Sequence, residues 1–233
     1  MKKTIILLGC SCLLALSGTV NADVSATITG VSDYTFNGVS QTDNNPALQV
    51  SLDYAADSGF YAGTFASTID YGDDQPDIEW DAYLGQYWQI NDSFSLDAGL
   101  AYYTYQGSSD SSDYNYPELY TLLGYSSSLG TSEFNLWYSW DYFGTDAGHY
   151  IVMLAHTFEL TPGHNIKLSV DRSTSTDEVK YAWGDSDAYN HFRIEYMTSW
   201  KGFDFNLAAE DTSLDWDTAD SRIVVGVSHT FNF

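Results

Sequence analysis

Arg222-Ile223-Val224-Val225-Gly226-Val227-Ser228-His229-Thr230-Phe231-Asn232-Phe233 closes the chain. Ile223, Val225, Val227, Phe231 and Phe233 fall at two-residue steps, while Gly226, Ser228, Thr230 and Asn232 between them are small or polar. A strand sends successive side chains to opposite faces, so this stretch has one apolar face and one wet face. If it pairs with the first strand of the chain, the sheet closes into a barrel and the sequence between supplies the other staves.

Working back from that end, period two recurs. The first strand is read with Ala26, Ile28, Gly30, Tyr34 and Phe36 on the apolar side, the second with Leu48, Val50, Leu52 and Tyr54, and the third with Tyr61, Gly63, Phe65 and Ile69. Ile78, Trp80, Ala82, Leu84 and Trp88 make a fourth, and Phe94, Leu96, Ala98, Leu100 and Tyr102 a fifth. The sixth is weakly patterned, with Leu119, Leu123 and Tyr125 outward, and the seventh runs Phe134, Leu136, Tyr138, Trp140, Tyr142. Residues 150–158 are apolar on both faces, which leaves the register of the eighth open. Ile166, Leu168 and Val170, then Phe192, Ile194, Tyr196 and Trp200, then Phe203, Phe205, Leu207 and Ala209 mark the ninth to eleventh. Twelve strands result. The connections after strands two, four, eight and ten are tight and the one after six is modest, whereas the others are mostly longer and rich in Asp, Ser and Gly. Short periplasmic turns and longer, acidic outer loops are the asymmetry expected of an outer-membrane barrel.

The first 22 residues differ from the rest. Lys2 and Lys3 precede a short apolar run, and Val20-Asn21-Ala22 offers a small-residue cleavage site, so a cleaved signal peptide over 1–22 is expected, with Ala22 and Asp23 flanking the cut and a single barrel domain over 23–233. Both cysteines, Cys10 and Cys12, lie in that leader, which leaves the remainder without a disulfide, a thiol nucleophile or a cysteine metal site. The chain carries 32 acidic against 8 basic residues, and no Lys or Arg occurs between Asp23 and Asn165. Nucleic acid is therefore excluded as a partner, because phosphate binding needs clustered cations. Aromatic residues make up 16% of the chain, which rules out an acidic disordered polymer.

Alternation alone also fits a soluble β-sandwich. Two features favour the membrane. None of the positions assigned to the apolar faces is Asp, Glu, Lys or Arg. The aromatics also gather near strand ends, with Trp88, Phe94, Phe134, Trp200 and Phe203 toward the periplasm and Tyr34, Trp80, Trp140 and Tyr142 toward the outside, as two interface belts. The terminal Phe, with Phe231 two residues before it, resembles the signature by which outer-membrane proteins are delivered to the barrel assembly machinery, which implies outer-membrane lipid as the surrounding medium.

The segment Val31-Ser32-Asp33-Tyr34-Thr35-Phe36-Asn37-Gly38-Val39-Ser40-Gln41-Thr42, continued by 46–49, 53–54 and 58–63, resembles the opening of the TorF-type putative porins of proteobacteria. That resemblance implies a barrel with porin-like transport, and it implies no defined solute and no catalytic residues. The family commonly has an arginine where this chain has Asn37, so any role of that cation in the lumen is absent here.

By parity, Asp53, Glu79, Asp81, Asp97, Asp141, Glu195 and Asp204 line the lumen with Lys167, Arg193 and Arg222 as the few cations. A narrow passage lined with one sign of charge concentrates counter-ions, so a channel for small hydrophilic solutes, cations preferred, is the leading expectation. Tyr103, Tyr105 and Trp137 also point inward, as stacking surfaces or as filling. The clusters Asp73, Asp74, Asp77 and Asp215, Asp217, Asp220 are more readily solvated loops than divalent-cation sites, and no cofactor is implied. A lipid- or peptide-hydrolysing barrel would need a base such as His149, with Asp146 and Tyr150, or His191, with Asp187; neither forms a motif, and His229 reads as an interface residue. A plugged barrel with a structural or adhesive role is the remaining alternative.

Overall fold

The computed structural model describes residues 23–233; the leader and Ala22, with the cleavage expected there, lie outside the described residues. Fourteen strands occur: β1 (Asp23–Val31), β2 (Thr35–Phe36), β3 (Val39–Ser40), β4 (Ala47–Ala55), β5 (Phe60–Thr68), β6 (Ile78–Gln89), β7 (Phe94–Gln106), β8 (Tyr116–Ser127), β9 (Gly130–Ser139), β10 (His149–Thr161), β11 (His164–Ser175), β12 (Ala188–Trp200), β13 (Phe203–Thr212) and β14 (Arg222–Asn232). Twelve of them, β1 and β4 to β14, form one closed antiparallel barrel in which each strand pairs with its neighbours in sequence. Closure is by β14 on β1, with Ala26 opposite Phe231 and Val31 opposite Gly226. A closed sheet satisfies every strand's backbone polar groups without water, which is the condition for crossing hydrocarbon.

The outer surface is apolar. Leu48, Val50 and Leu52 on β4, Trp80 and Leu84 on β6, Leu207 on β13 and Val225 on β14 are all exposed. Among the described residues of the barrel strands, the charged side chains of outward parity are Arg172 and Asp211, each near the loop end of its strand. At one rim the connections are short (56–59, 90–93, 128–129, 162–163 and 201–202), and the one after the sixth stave is as tight as the others. At the opposite rim they are long (32–46, 69–77, 107–115, 140–148, 176–187 and 213–221). The eighth stave, β10, is fixed by its partners: His149 and Ile151 are buried inside, while Leu154 and Phe158 face out.

Three readings of the sequence are corrected. On β5 it is Tyr61, Gly63 and Phe65 that face inward, with Ile69 buried just past its end, and Phe60, Ala62 and Thr64 that face out. Ala62 is paired with Tyr54 on one side and Leu84 on the other, both outward, and cross-strand partners share a face. Apolar side chains therefore sit inside because the lumen has volume to fill. Secondly, the first stave ends at Val31, and Tyr34 and Phe36 belong to an inward-folded hairpin rather than to an outer belt. Thirdly, the seventh ends at Ser139, so Tyr142 turns inward and is buried.

The β5 register makes a direct prediction. Ala62→Arg places a guanidinium in the apolar band and should destabilise the barrel by about 2–4 kcal/mol if it lies near the midplane. Denaturant unfolding in lipid vesicles measures this, and an unchanged midpoint would mean that Ala62 faces the lumen.

Candidate functional site: the acidic, aromatic lumen

The interior has two unlike walls. On β4 to β8 it carries Asp53, Glu79, Asp81, Asp97 and Glu118, and no cation. Tyrosine hydroxyls serve these acids instead: Tyr34 donates to Glu79 (2.7 Å), Tyr61 to Asp97 (2.6 Å), Tyr103 to Glu118 (3.0 Å) and Tyr83 to Asp53. The rings reach across because the strands opposite them are bare. Tyr83 lies over Gly63, Tyr61 over Gly85 and Tyr120 over Gly99, where a Cβ on any of these glycines would collide with the phenol.

The wall from β9 to β13 is ion-paired. Lys167 Nζ meets Glu133 Oε2 at 3.0 Å, and Arg193 bridges Glu195 (2.9 Å) and Glu210. His191 Nδ1 lies 2.7 Å from Asp171 and its Nε2 3.5 Å from Glu210. Asp204, near the short-turn rim, accepts from Ser199. The cations sit on this side because the sequence supplies none before Lys167 beyond the leader.

Of the residues singled out from the sequence, Asp53, Glu79, Asp81, Asp97, Lys167, Arg193, Glu195 and Asp204 all face the interior. Asp141 does not. It lies past the end of β9, where it accepts a bond from the Asp146 amide at 2.7 Å as part of a loop turn. Sequence reasoning passed over Glu118 and Glu133, each on the inner face of a strand whose alternation is weak or begins later. Alternation along the strand would have found Glu133, two residues from Asn135.

The hairpin β2–β3 enters this lumen from the long-loop rim. Its root is Asp33, which accepts from Ser40 Oγ (2.6 Å) and from Arg222 Nη1 (2.6 Å) on β14. Its tip crosses to the ion-paired wall, where Asn37 Nδ2 donates to Asp171 at 2.8 Å. Asn37 and Gly38 both have positive φ, and a Cβ on Gly38 would meet Thr212 at 2.5 Å and His191 at 2.6 Å. A larger residue therefore cannot sit there without moving the tip. Tyr34 packs edge-on against Phe65, with ring centroids 6.0 Å apart, which ties the hairpin to the acid wall as well. So Ser32, Asp33, Tyr34, Phe36, Gly38, Ser40, Gln41 and Thr42, read in the sequence as a motif in and beyond a stave, build a bar across the barrel mouth. Tyr71, Tyr105, Tyr114, Tyr116 and Phe143 pack into the same layer, Tyr103 and Tyr116 being stacked at 4.6 Å.

The histidine constellations do not assemble. Tyr150 faces outward, away from buried His149, whose ring lies 4.0 Å from that of Tyr142. His191 is held by Asp171 and Glu210, while Asp187 is exposed in a loop. His229 is on the outer face near the short-turn rim, donating to the Gly202 carbonyl and flanked by Phe203 and Phe231. Among the described residues no group of three or more His, Cys, Asp or Glu is placed to hold a metal ion.

Twelve antiparallel strands around an acidic interior, with one short-turn rim and one long-loop rim, define a barrel of the outer-membrane type. The chain belongs to the Gcw_chp family, described as bacterial proteins of unknown function, whose model matches residues 16–230. No curated protein matches it. Among solved structures it is similar to the KdgM porin (TM-score 0.60, 11% identity, covering 89% of this chain and 99% of that one) and to the NanC porin (0.54, 10%, 90% and 98%). It is also similar to an outer-membrane channel from Pseudomonas putida F1 (0.54, 11%, 92% and 96%). At these identities the likeness establishes the fold.

Loss of the Asp33 carboxylate should free the bar without opening the barrel. In Asp33→Ala, amide hydrogen exchange over residues 34–42 should quicken about tenfold or more, since charged hydrogen bonds contribute roughly 1.5–3 kcal/mol. Exchange in β10 to β12 should stay as slow as in the parent, and unchanged exchange over 34–42 would mean that the hairpin is held elsewhere.

Proposed function

We propose that this protein is an outer-membrane channel of the porin type that passes small hydrophilic solutes and prefers cations, with its mouth narrowed by the β2–β3 bar. The observation that carries the reading is the wall of five carboxylates on β4 to β8, faced by no Lys or Arg of its own. In a narrow low-dielectric passage such a wall lowers the energy of a cation and raises that of an anion. The shared porin architecture and the resemblance of residues 31–42 to the TorF-type porins support the transport part. One solved KdgM structure is a complex with oligogalacturonate, a polyanion. The interior described above would repel such a ligand, so the solute proposed here has the opposite charge. Outer-membrane lipid surrounds the apolar band in this reading, and the terminal strand with Phe231 and Phe233 is what the barrel assembly machinery would engage.

A second reading has its own observation. Glu79, Asp81 and Glu118 are only 1–2% exposed, so the loop half of the lumen is filled. A permanently plugged barrel with a structural or adhesive role is thereby favoured if the bar never moves.

Planar-bilayer recording separates the two. The channel reading expects small, cation-preferring single-channel steps, larger steps in Asp33→Ala, and a severalfold loss of cation preference in a Glu118→Gln, Asp81→Asn double variant. Anion preference overturns the electrostatic part. Silence in both the parent and Asp33→Ala, each shown to be folded, overturns the channel in favour of the plugged barrel.

A further inference from the structure

Above the bar, at the long-loop rim, lies a cavity of about 410 Å³. That volume falls within the roughly 300–1,000 Å³ typical of small-molecule sites. None of the five acids of the β4 to β8 wall lines it. Its lining is chiefly aromatic, with Tyr71, Phe143, Tyr181, Trp183 and Trp216 drawn from four different loops. The rings stand at different angles to one another: Tyr181 is perpendicular to Trp183 (5.2 Å, 89°) and parallel to Phe143 (6.3 Å, 13°). The Trp216 indole packs beside the 176–187 loop, its Nε1 lying 3.7 Å from where a Cβ on Gly184 would stand.

Two carboxylates complete the lining, Asp43 beside the hairpin and Asp70 after β5. Both are exposed, and among the described residues neither takes part in an ion pair. No Lys or Arg lines the cavity. Ring faces carry negative potential, and a desolvated cation held against several of them with a carboxylate nearby is attracted by each. A neutral sugar would stack on the same rings and donate hydroxyls to the acids, but it brings no charge to match theirs, and an anion would be repelled by them.

We infer that this vestibule is a binding site for a small organic cation, an alkylated ammonium group, held by the Tyr181, Trp183 and Trp216 faces and by the charges of Asp43 and Asp70. Burial among the neighbouring rings pushes the Tyr181 phenol up to about 12 and that of Tyr71 well above the ordinary value, so both rings stay neutral π surfaces at ordinary pH. The site stands whether or not the barrel conducts, since all its parts lie in the loops and the bar.

Isothermal titration of the detergent-solubilised barrel tests the assignment, with tetramethylammonium chloride against tert-butanol, its neutral counterpart of similar shape, and against glucose, in buffer of fixed sodium chloride. Saturable tetramethylammonium binding is expected, with tert-butanol and glucose at least about tenfold weaker, the factor a cation–π cage supplies at roughly 1–2 kcal/mol. Tyr181→Leu and Asp70→Asn should each weaken it at least threefold. Asp70→Asn replaces an exposed side chain with its near-isostere, so it tests the charge even if Tyr181→Leu folds poorly. Equal binding of tert-butanol, saturable binding of glucose without tetramethylammonium, no tetramethylammonium binding, or an Asp70→Asn variant that binds like the parent would each overturn the inference.

Discussion

Hydrocarbon tolerates neither an unpaired backbone amide nor an unscreened charge, and the whole molecule follows from that exclusion. The amides are satisfied by closing β14 on β1. The charges are satisfied by parity: along each stave one face meets lipid, so the acids of an acidic chain have only the interior and the rims to occupy. A twelve-strand lumen is too wide for aliphatic side chains to fill. The protein fills it with tyrosine, whose ring occupies volume while its hydroxyl satisfies a carboxylate. Tyr61 does both, spanning from β5 over Gly85 to Asp97.

The two walls solve the same electrostatic problem differently. Where the sequence supplies Lys167, Arg193 and His191, acids are neutralised by pairing; where it supplies no cation, four of the five acids accept from phenols instead. Removing one partner from a buried pair is costly, which makes the ion-paired wall a rigid abutment for the hairpin tip at Asn37. The charge asymmetry and the bar are thus linked, since the bar spans from the ion-paired wall, at Asn37, to the acid wall, at Tyr34.

Much of this was legible in the sequence, and the reason is periodicity. The lipid-facing parity of Leu48 to Tyr54, Trp80 to Leu84 and Phe203 to Ala209 is enforced by a strong penalty, so the pattern is clean and twelve staves can be read from it. Inside the barrel no such penalty operates, because a lumen accepts phenylalanine as readily as serine when there is volume to fill. That is why Phe65 and Tyr61 misled the reading of β5, whose lipid face beyond Phe60 is only Ala and Thr, and why β10 gave no register. The bar was illegible for another reason. Ser32 to Phe36 continues the alternation of β1 without a break, and only the positive-φ pair Asn37 and Gly38, with the distant partners Arg222 and Asp171, turns it inward. Long-range pairing leaves no mark in local pattern, and the vestibule, assembled from separate loops, leaves none either.

The central claim, that side-chain parity sorts lipid from lumen, can be tested with native probes. Trp137 and Trp140 are three residues apart, yet Trp137 is 7% exposed inside the barrel and Trp140 is 49% exposed on its outer face. Variants retaining only one or the other, reconstituted in brominated phospholipid, report directly on contact with acyl chains through fluorescence quenching. The account predicts strong quenching of Trp140 and little of Trp137; equal quenching of the two, or none of either, would contradict it.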